Sequence, residues 1–383
     1  MTSLAWLALG GLVGALFTLG MTIRNLGVFQ PPPADAKDHR DTLVSVCVPA
    51  RNEADNIERC VRAILESDHQ RVEVLIYDDE STDETPRIVE RLSRTDDRIR
   101  VVPSRPLPAG WSGKQFACDT LGRAASGRWL LFTDADVELD PSAIGRSLAY
   151  ASENRLDLVS AFPRQIVRTP GEVLQVPMMF FLLLSYLPFG RMRTTNDPAA
   201  SAGCGQFLLV RTDAYLESGG HAAFRDSMHD GIKMPRTLRR AGFRTDVVDG
   251  TPLATVRMYA GVVEAWQGFA KNAYEGLGSV PLLVFLTVYH LVSHVAPWVI
   301  LPIALATGSA LPAGLAAIAV LAGGAQRIAL ARRFKHPPSL ALVHPITVLM
   351  MIGVQWHSLW LHTRRSRSWR GRTLIAADPG AAS

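Results

Sequence analysis

Residues 4–23 read LAWLALGGLVGALFTLGMTI, a run without a charged side chain. About 20 apolar residues wound as a helix match the thickness of a bilayer core. In that core only a helix or a closed barrel satisfies every backbone N–H and C=O. The segment is therefore expected to be a spanning helix. A cleaved secretory signal is the rival reading, and it calls for a basic stretch ahead of the apolar run. Here Arg24 follows the run instead, and the positive-inside rule puts the chain beyond it in the cytoplasm.

Three more apolar stretches lie at roughly 280–304, 308–330 and 339–361. If all three crossed, the basic RRSRSWRGR (364–372) would end outside, against the same rule. The last stretch contains Pro345, Gly353, Gln355 and His357. It is expected to be re-entrant or interfacial. The expected organisation is a transmembrane helix over 1–24, a Pro-rich linker over 25–42 and an α/β domain with interfacial helices over 43–275. Transmembrane or re-entrant helices then cover 276–362, and a basic cytoplasmic tail covers 363–383. That layout implies a multi-pass protein of the inner (plasma) membrane.

With 48% hydrophobic residues the chain is not a disordered polymer. The net charge of +5 comes from basic residues beside apolar segments, among them Arg332, Arg333 and Lys335. Such placement suits an anionic leaflet rather than nucleic acid. Cys47, Cys60, Cys118 and Cys204 lack metal-ligand spacing and read as reduced, mostly buried thiols.

From Leu43 to about Val248 strands and helices alternate. LVSVCVP (43–49), VEVLIYD (72–78), RIRVV (98–102) and RWLLFT (128–133) read as strands. Ile57, Val61, Ile64 and Leu65 mark one helical face, with Asp55 and Glu58 as a possible capping box. A helix is expected near 113–125. Repeated β-α-β units predict a mostly parallel sheet with helices on both faces. Ligands of such sheets sit beyond the C-terminal ends of the strands.

Three of those ends are acidic: PARNEADNI (49–57), YDDESTD (77–83) and FTDADVELD (132–140). Any one of them could simply cap the next helix. Together they resemble the family 2 glycosyltransferases of the GT-A fold, with their PxxNE turn, DDxSxD turn and Asp-x-Asp metal motif. The resemblance covers about residues 43–275. It implies a Rossmann-like nucleotide-sugar domain and inverting transfer of a hexose. The bond that breaks leaves negative charge on a diphosphate, and a cation held by carboxylates offsets it. Hard oxygen ligands suit Mg²⁺ or Mn²⁺, so Asp136 and Asp134 are the metal candidates, with Asp134 facing the ribose or the metal. By the same resemblance Asp79 contacts the uracil, and Pro49, Ala50 and Glu53 line the base and ribose pocket. Asp78 could equally be a supporting hydrogen-bond acceptor. In GWSGK (110–114), Lys114 near a helix start is the candidate for the diphosphate or donor sugar.

The family's base is an Asp opening a helix some 90 residues beyond the metal motif, and Asp230 in SMHDGIKM (227–234) occupies that place. His229 stands where Glu is common. GCGQF (203–207) reads either as an acceptor-side loop that substrate can approach closely or as a turn. The Gln-x-x-Arg-Trp of processive members is absent. RMYAGVVEAWQGFAKN (257–272) instead resembles lipid-modifying members, with Trp266, Phe269 and Tyr274 suited to a headgroup-level belt. VLQVPMMFFLLLSYLPFG (173–190) reads as an interfacial segment, the wall of a lipid-acceptor groove, or a core helix. His290 and His294 lack further zinc ligands and are expected to hydrogen-bond between helices.

GWSGK, the HDG variant and WQGFAKN are similar to bacterial enzymes of carotenoid and hopanoid glycosylation, with ceramide glucosyltransferases as cousins. The implied donor is a nucleotide sugar, UDP-glucose first. The implied acceptor is a lipophilic hydroxyl of carotenoid type in the bilayer. Hopanoid, glycolipid and polyprenyl-phosphate acceptors are alternatives, and a non-catalytic membrane scaffold is the alternative of another class.

Overall fold

The computed structural model describes residues 2–34 and 41–364, together with the backbone of two short strands at 368–369 and 372–373. The middle of the Pro-rich linker and most of the basic tail, with its SWRGR end, lie outside the described residues. Along the chain, α1 (Ser3–Val28) precedes β1 (Val44–Ala50), α2 (Ile57–Leu65), β2 (Val72–Asp78), α3 (Thr85–Ser93) and β3 (Ile99–Val101). Next come α4 (Gly113–Ala124), β4 (Trp129–Phe132), β5 (Val137–Leu139), α5 (Ala143–Glu153) and β6 (Leu158–Gln165). The short helices α6 (Pro170–Gln175), α7 (Met178–Tyr186) and α8 (Phe189–Thr194) lead to β7 (Leu208–Arg211) and α9 (Thr212–Glu217). Then follow α10 (Asp230–Arg240), β8 (Thr245–Val256), α11 (Val262–Ala270) and α12 (Ala273–Leu277). The C-terminal helices are α13 (Val280–His290), α14 (Ala296–Ala306), α15 (Ala310–Phe334) and α16 (His344–Thr363).

These elements form two compact units. One comprises Phe29–Ile166 and Phe189–Arg257. Its eight-stranded sheet runs β3-β2-β1-β4-β7-β6-β8-β5. β3, β2, β1 and β4 are mutually parallel, as the sequence predicts. β7 then pairs antiparallel with both β4 and β6, and β5 antiparallel with β8, so the sheet is mixed. All seven residues of β1 are buried, as befits a strand covered on both faces. Val44, Val46 and Val48 pack with Ile57, Val61 and Ile64 on one side. Cys47 lies on the other with Leu121, Met234 and Leu238. Each such aliphatic side chain contributes roughly 1.5–3 kcal/mol by burial. All four cysteines are free and buried.

The expected Asp55–Glu58 capping box does not form. α2 starts after Asn56 without a side-chain cap. Glu58 pairs instead with Arg62, the next turn on, at 2.7 Å. The reason is local: amides of the preceding turn are taken by side chains of the β2 turn, described below.

The second unit comprises the chain up to Val28, Val167–Pro188 and Met258–Arg364. α1 buries a stripe of small residues, Ala5, Ala8, Gly11, Ala15, Thr18, Thr22 and Asn25. That spacing of three and four lets helix backbones approach closely. Ala8 meets Ala313 and Ala316, and Ala15 meets Ala319 and Ala322, all on α15. Gln326 of α15 donates to Thr22 Oγ1 at 2.7 Å and to Ser185 Oγ of α7 at 2.8 Å. Among the described residues three helices are long and apolar enough to cross a membrane: Ser3–Val28, Val280–Ala306 and Ala310–Phe334. The second is continuous through a π-helical turn at Leu291–Val295. α16 is not one of the three.

Of the readings open for residues 173–190, burial selects the core helix. Phe180, Phe181 and Leu184 are fully buried, and Phe180 stacks on Phe334 with ring centroids 3.8 Å apart. Phe180 therefore does not wall an acceptor groove. His290 and His294 do hydrogen-bond between helices: Tyr186 lies 2.8 Å from His290 Nε2, and His294 Nδ1 lies 3.1 Å from His344 Nε2. The aromatic residues of the 257–272 stretch are partly packed. Trp266 donates to His357 of α16 at 2.9 Å, and Tyr259 meets Phe269 edge to face.

Candidate active site

β1 and β2 are parallel neighbours with Ala50 beside Asp78, so their C-terminal turns lie side by side. Each turn has one non-glycine residue in the left-handed region, Asn52 at φ 53° and Glu80 at φ 54°. The turns are bonded to each other. Asn52 N donates to Ser81 Oγ (2.9 Å), Glu53 N to Thr85 Oγ1 (2.8 Å) and Ala54 N to Asp83 Oδ2 (3.1 Å). In return Thr82 N donates to Asn52 Oδ1 at 2.8 Å. Here the types Asn, Ser, Thr and Asp match the demands of a cross-linked pair of turns.

Asp79 is buried beneath them, its N–H on Ala50 O at 2.8 Å and its carboxylate 3.7 Å from Arg51. Glu53, also buried, accepts from Asn56 Nδ2 at 2.9 Å. Pro49 and Ala50 are the last residues of β1 and are buried in the sheet. Asp78 accepts from both the hydroxyl and the N–H of Ser81, which makes it a brace of its turn. Burial pushes its carboxyl up despite those bonds.

Beyond β4 the TDADV turn carries Asp134 and Asp136. Lys114, on the first turn of α4, reaches Asp134 Oδ1 at 2.7 Å. The same ammonium lies 2.9 Å from Oδ2 of Asp230, the first residue of α10. One cation thus bridges two carboxylates that lie 20 and 116 positions further along the chain. Burial pushes the Asp230 carboxyl up, but Lys114 outweighs it and holds the pKa down at about 2. Burial opposes the charge on Lys114, yet Asp134 and Asp230 together raise its pKa well above the ordinary value.

The GCG loop explains itself here. A Cβ on Gly205 would stand 2.2 Å from Asp230 Oδ1, and one on Gly203 would stand 2.9 Å from Gly231 O. The loop lies against the first turn of α10, so protein contact by itself requires both glycines. Asp230 also accepts from Gly231 N at 2.8 Å. His229 precedes α10, with its N–H on Ser227 Oγ at 3.0 Å.

His221 was not singled out in the sequence. It is fully buried in the short 3₁₀ turn Gly220–Phe224, which packs against both α4 and α10, the helices that carry Lys114 and Asp230. Its Nδ1 lies 2.9 Å from the Tyr215 hydroxyl, and its ring stands edge-on to Phe132 at 4.6 Å. Burial lowers its pKa to about 3, so the ring is neutral at neutral pH. The available signal was the Gly219-Gly220 pair, both at positive φ, which marks a tight turn.

Residues 45–218 match the family described as glycosyl transferase family 2. The chain carries a family 2 glycosyltransferase domain. It is 24% identical to a 4,4'-diaponeurosporenoate glycosyltransferase of Staphylococcus haemolyticus over 253 residues, 65% of this chain and 66% of that protein. It is 25% identical to the Staphylococcus aureus protein of the same name over 337 residues, 86% of this chain and 87% of that one. A mannosyltransferase of Pyrobaculum calidifontis, solved with GDP-Man and Mn²⁺, shares the fold at TM-score 0.58. That likeness covers 94% of this chain and 99% of the other at 19% identity. That likeness identifies the mixed sheet as the GT-A type, and the family match together with the named relatives makes the protein a glycosyltransferase.

No group of three or more His, Cys, Asp or Glu side chains is poised for a metal among the described residues. Asp134 and Asp136 nonetheless offer two hard oxygen donors in one turn. This set fits a divalent ion that also takes oxygens from a diphosphate.

Proposed function

We propose that this glycosyltransferase moves a hexose, from UDP-glucose as first choice, to an oxygen of an apolar, carotenoid-type acceptor with inversion at the sugar. The observation that carries the reading is the Lys114 ammonium between Asp134 and Asp230. A donor diphosphate offers Lys114 a stronger anionic partner than either carboxylate. Asp134 and Asp136 would hold Mg²⁺ or Mn²⁺, which supplies charge neutralisation for the departing diphosphate. Asp79, Glu53, Pro49 and Ala50 border the nucleotide. As Lys114 turns to the phosphates, Asp230 loses the cation that holds its pKa low. Its burial then raises the pKa, and the carboxylate becomes an effective base towards an acceptor hydroxyl. Donor binding thereby arms the base.

The staphylococcal relatives are named for a carboxylate substrate. A carboxylate acceptor is already anionic and needs no proton removed. The two acceptor types separate in one experiment with the full chain in membranes. With a carotenoid alcohol, Asp230→Asn should cut kcat by about 10²–10⁴, the usual worth of general base catalysis, while UDP-glucose still binds. With a carotenoid acid the same variant should retain most of its turnover. Wild type inactive on both, or Asp230→Asn unimpaired on the alcohol, overturns the proposal.

A further inference from the structure

Arg327 lies within α15, seven residues before its end and thus roughly 10 Å along the helix axis from it. It is 2% exposed, and it is the largest of the fully buried side chains. Its Nε, Nη1 and Nη2 have no hydrogen-bond partner among the described residues. Around it the second unit places three histidines about one ring. Phe181 lies 5.9 Å from the Arg327 guanidinium, 5.2 Å from His294, 5.5 Å from His344 and 6.3 Å from His290. Each histidine spends one nitrogen on Tyr186 or on another histidine. The remaining nitrogens, His290 Nδ1, His294 Nε2 and His344 Nδ1, have no protein partner among the described residues.

A buried guanidinium in a membrane helix is costly unless an anion compensates it. Among the described residues no carboxylate is hydrogen-bonded to Arg327. From residue 276 to 364 there is neither Asp nor Glu. The unit's carboxylates are Glu172, Glu264 and Glu275: Glu172 is spent on Arg168 N (2.7 Å), Gly261 N (2.9 Å) and Thr169 Oγ1 (2.8 Å), Glu264 accepts from Ala260 N (2.8 Å), and Glu275 lies on the separate helix α12. The histidines form no metal group among the described residues. What the cluster presents is hydrogen-bond donors and one fixed positive charge, enclosed by apolar helices.

We propose that Arg327, with His294 and His344, binds the oxyanion head group of a membrane amphiphile, its apolar chain lying among the helices. The guanidinium fork matches a carboxylate or a phosphate ester bidentately. Because His294 and His344 share one hydrogen bond, one ring spends its N–H on the other, and the pair offers one further donor to the cradle. Both chemistries, a lipid-borne carboxylate and a lipid-borne phosphate, present the same pair of oxygens to the fork. The site goes beyond sugar transfer and rests only on the reading that α15 spans a bilayer.

The test uses the full chain purified in detergent. Native mass spectrometry reads what is retained, and thermal melting is followed with dioleoylphosphatidylglycerol, oleate, dioleoylphosphatidylcholine or inorganic phosphate. The wild type should retain one anionic amphiphile per chain, and its Tm should rise with phosphatidylglycerol or oleate. Which of those two acts identifies the head group. Arg327→Gln should lose both retention and shift, and Arg327→Lys should keep part of each. Should Arg327→Gln not fold, the wild-type titration and Arg327→Lys still decide. No retained amphiphile and no shift with either anion overturns the proposal. So does an equal shift with inorganic phosphate or phosphatidylcholine, or retention unchanged in Arg327→Gln. Sugar transfer is not a readout here, so an inactive preparation that retains the lipid counts against the proposed reaction alone.

Discussion

At the scale of single residues, the site depends on glycines as much as on charges. Gly205 gives way to the Asp230 carboxylate at a point where a Cβ would stand 2.2 Å away. Gly205→Ala must therefore displace the carboxylate or the loop. We expect a kcat loss with donor affinity nearly kept, and a destabilisation of about 1–3 kcal/mol, the usual range for overpacking. Steady-state kinetics and a denaturant melt check this. His221 makes a separate prediction through pH. Its folded pKa, about 3, lies below the ordinary 6.5. The unfolded chain therefore binds its proton first, and stability from this group is full above about pH 6.5 and falls as pH drops towards 3. His221→Phe keeps a ring between Phe132 and Phe224 and should flatten the acid limb of stability between those values. An unchanged limb would remove the burial of a neutral His221 as its cause. The sequence made Lys114, Asp134 and Asp230 visible one by one. It left His221 unread because a histidine after two glycines carries no periodicity.

At the scale of elements, the apolar segment around α7 shows what burial decides. Its composition suits an interface, a groove wall or a core, since all three favour Phe and Leu. Phe180 is stacked between helices of its own unit, so Phe180→Ala should cost about 3–5 kcal/mol as a large-to-small core change. Thermal melting in detergent should register that loss, with no selective rise in acceptor KM in the protein that remains folded. A KM effect without a melting shift would return Phe180 to the acceptor. The far half of the sheet was legible only in part. β5, β6 and β8 were not foreseen: β5 has only three residues, and the pairing of β6 with β8 is interrupted by a bulge between Pro163 and Arg164.

At the scale of the whole molecule, three candidate spans reconcile the charges at both ends. Arg24 lies near the end of the first, and Arg332, Arg333 and Lys335 close the third. We propose that Val280–Ala306 and Ala310–Phe334 form a hairpin across the bilayer, which puts all of these basic residues on one side, the cytoplasmic side that the positive-inside rule expects. The hairpin tip, with exposed Thr307, then faces outward. All four native cysteines are buried, so single cysteines report cleanly. Thr307→Cys should label with an impermeant thiol reagent in intact cells, and Glu90→Cys, exposed on α3, should label only after permeabilisation. The reverse pattern would invert the orientation.

Read alone, the sequence determined the long apolar first helix, the parallel half of the sheet and the acidic turns at the strand ends. Each of these is written in local terms: a charge-free run, a strand of β-branched residues, a turn of Asn, Asp and Ser. Tertiary structure alone decided that Lys114 stands between Asp134 and Asp230, that Gly203 and Gly205 serve the first turn of α10, and that Phe180 packs inward. It also placed Arg327 and three histidines around Phe181, with no carboxylate bonded to Arg327 among the described residues. These are relations between residues tens to hundreds of positions apart. They are set by which strands neighbour which and which helix faces meet, and no periodicity along the chain encodes that.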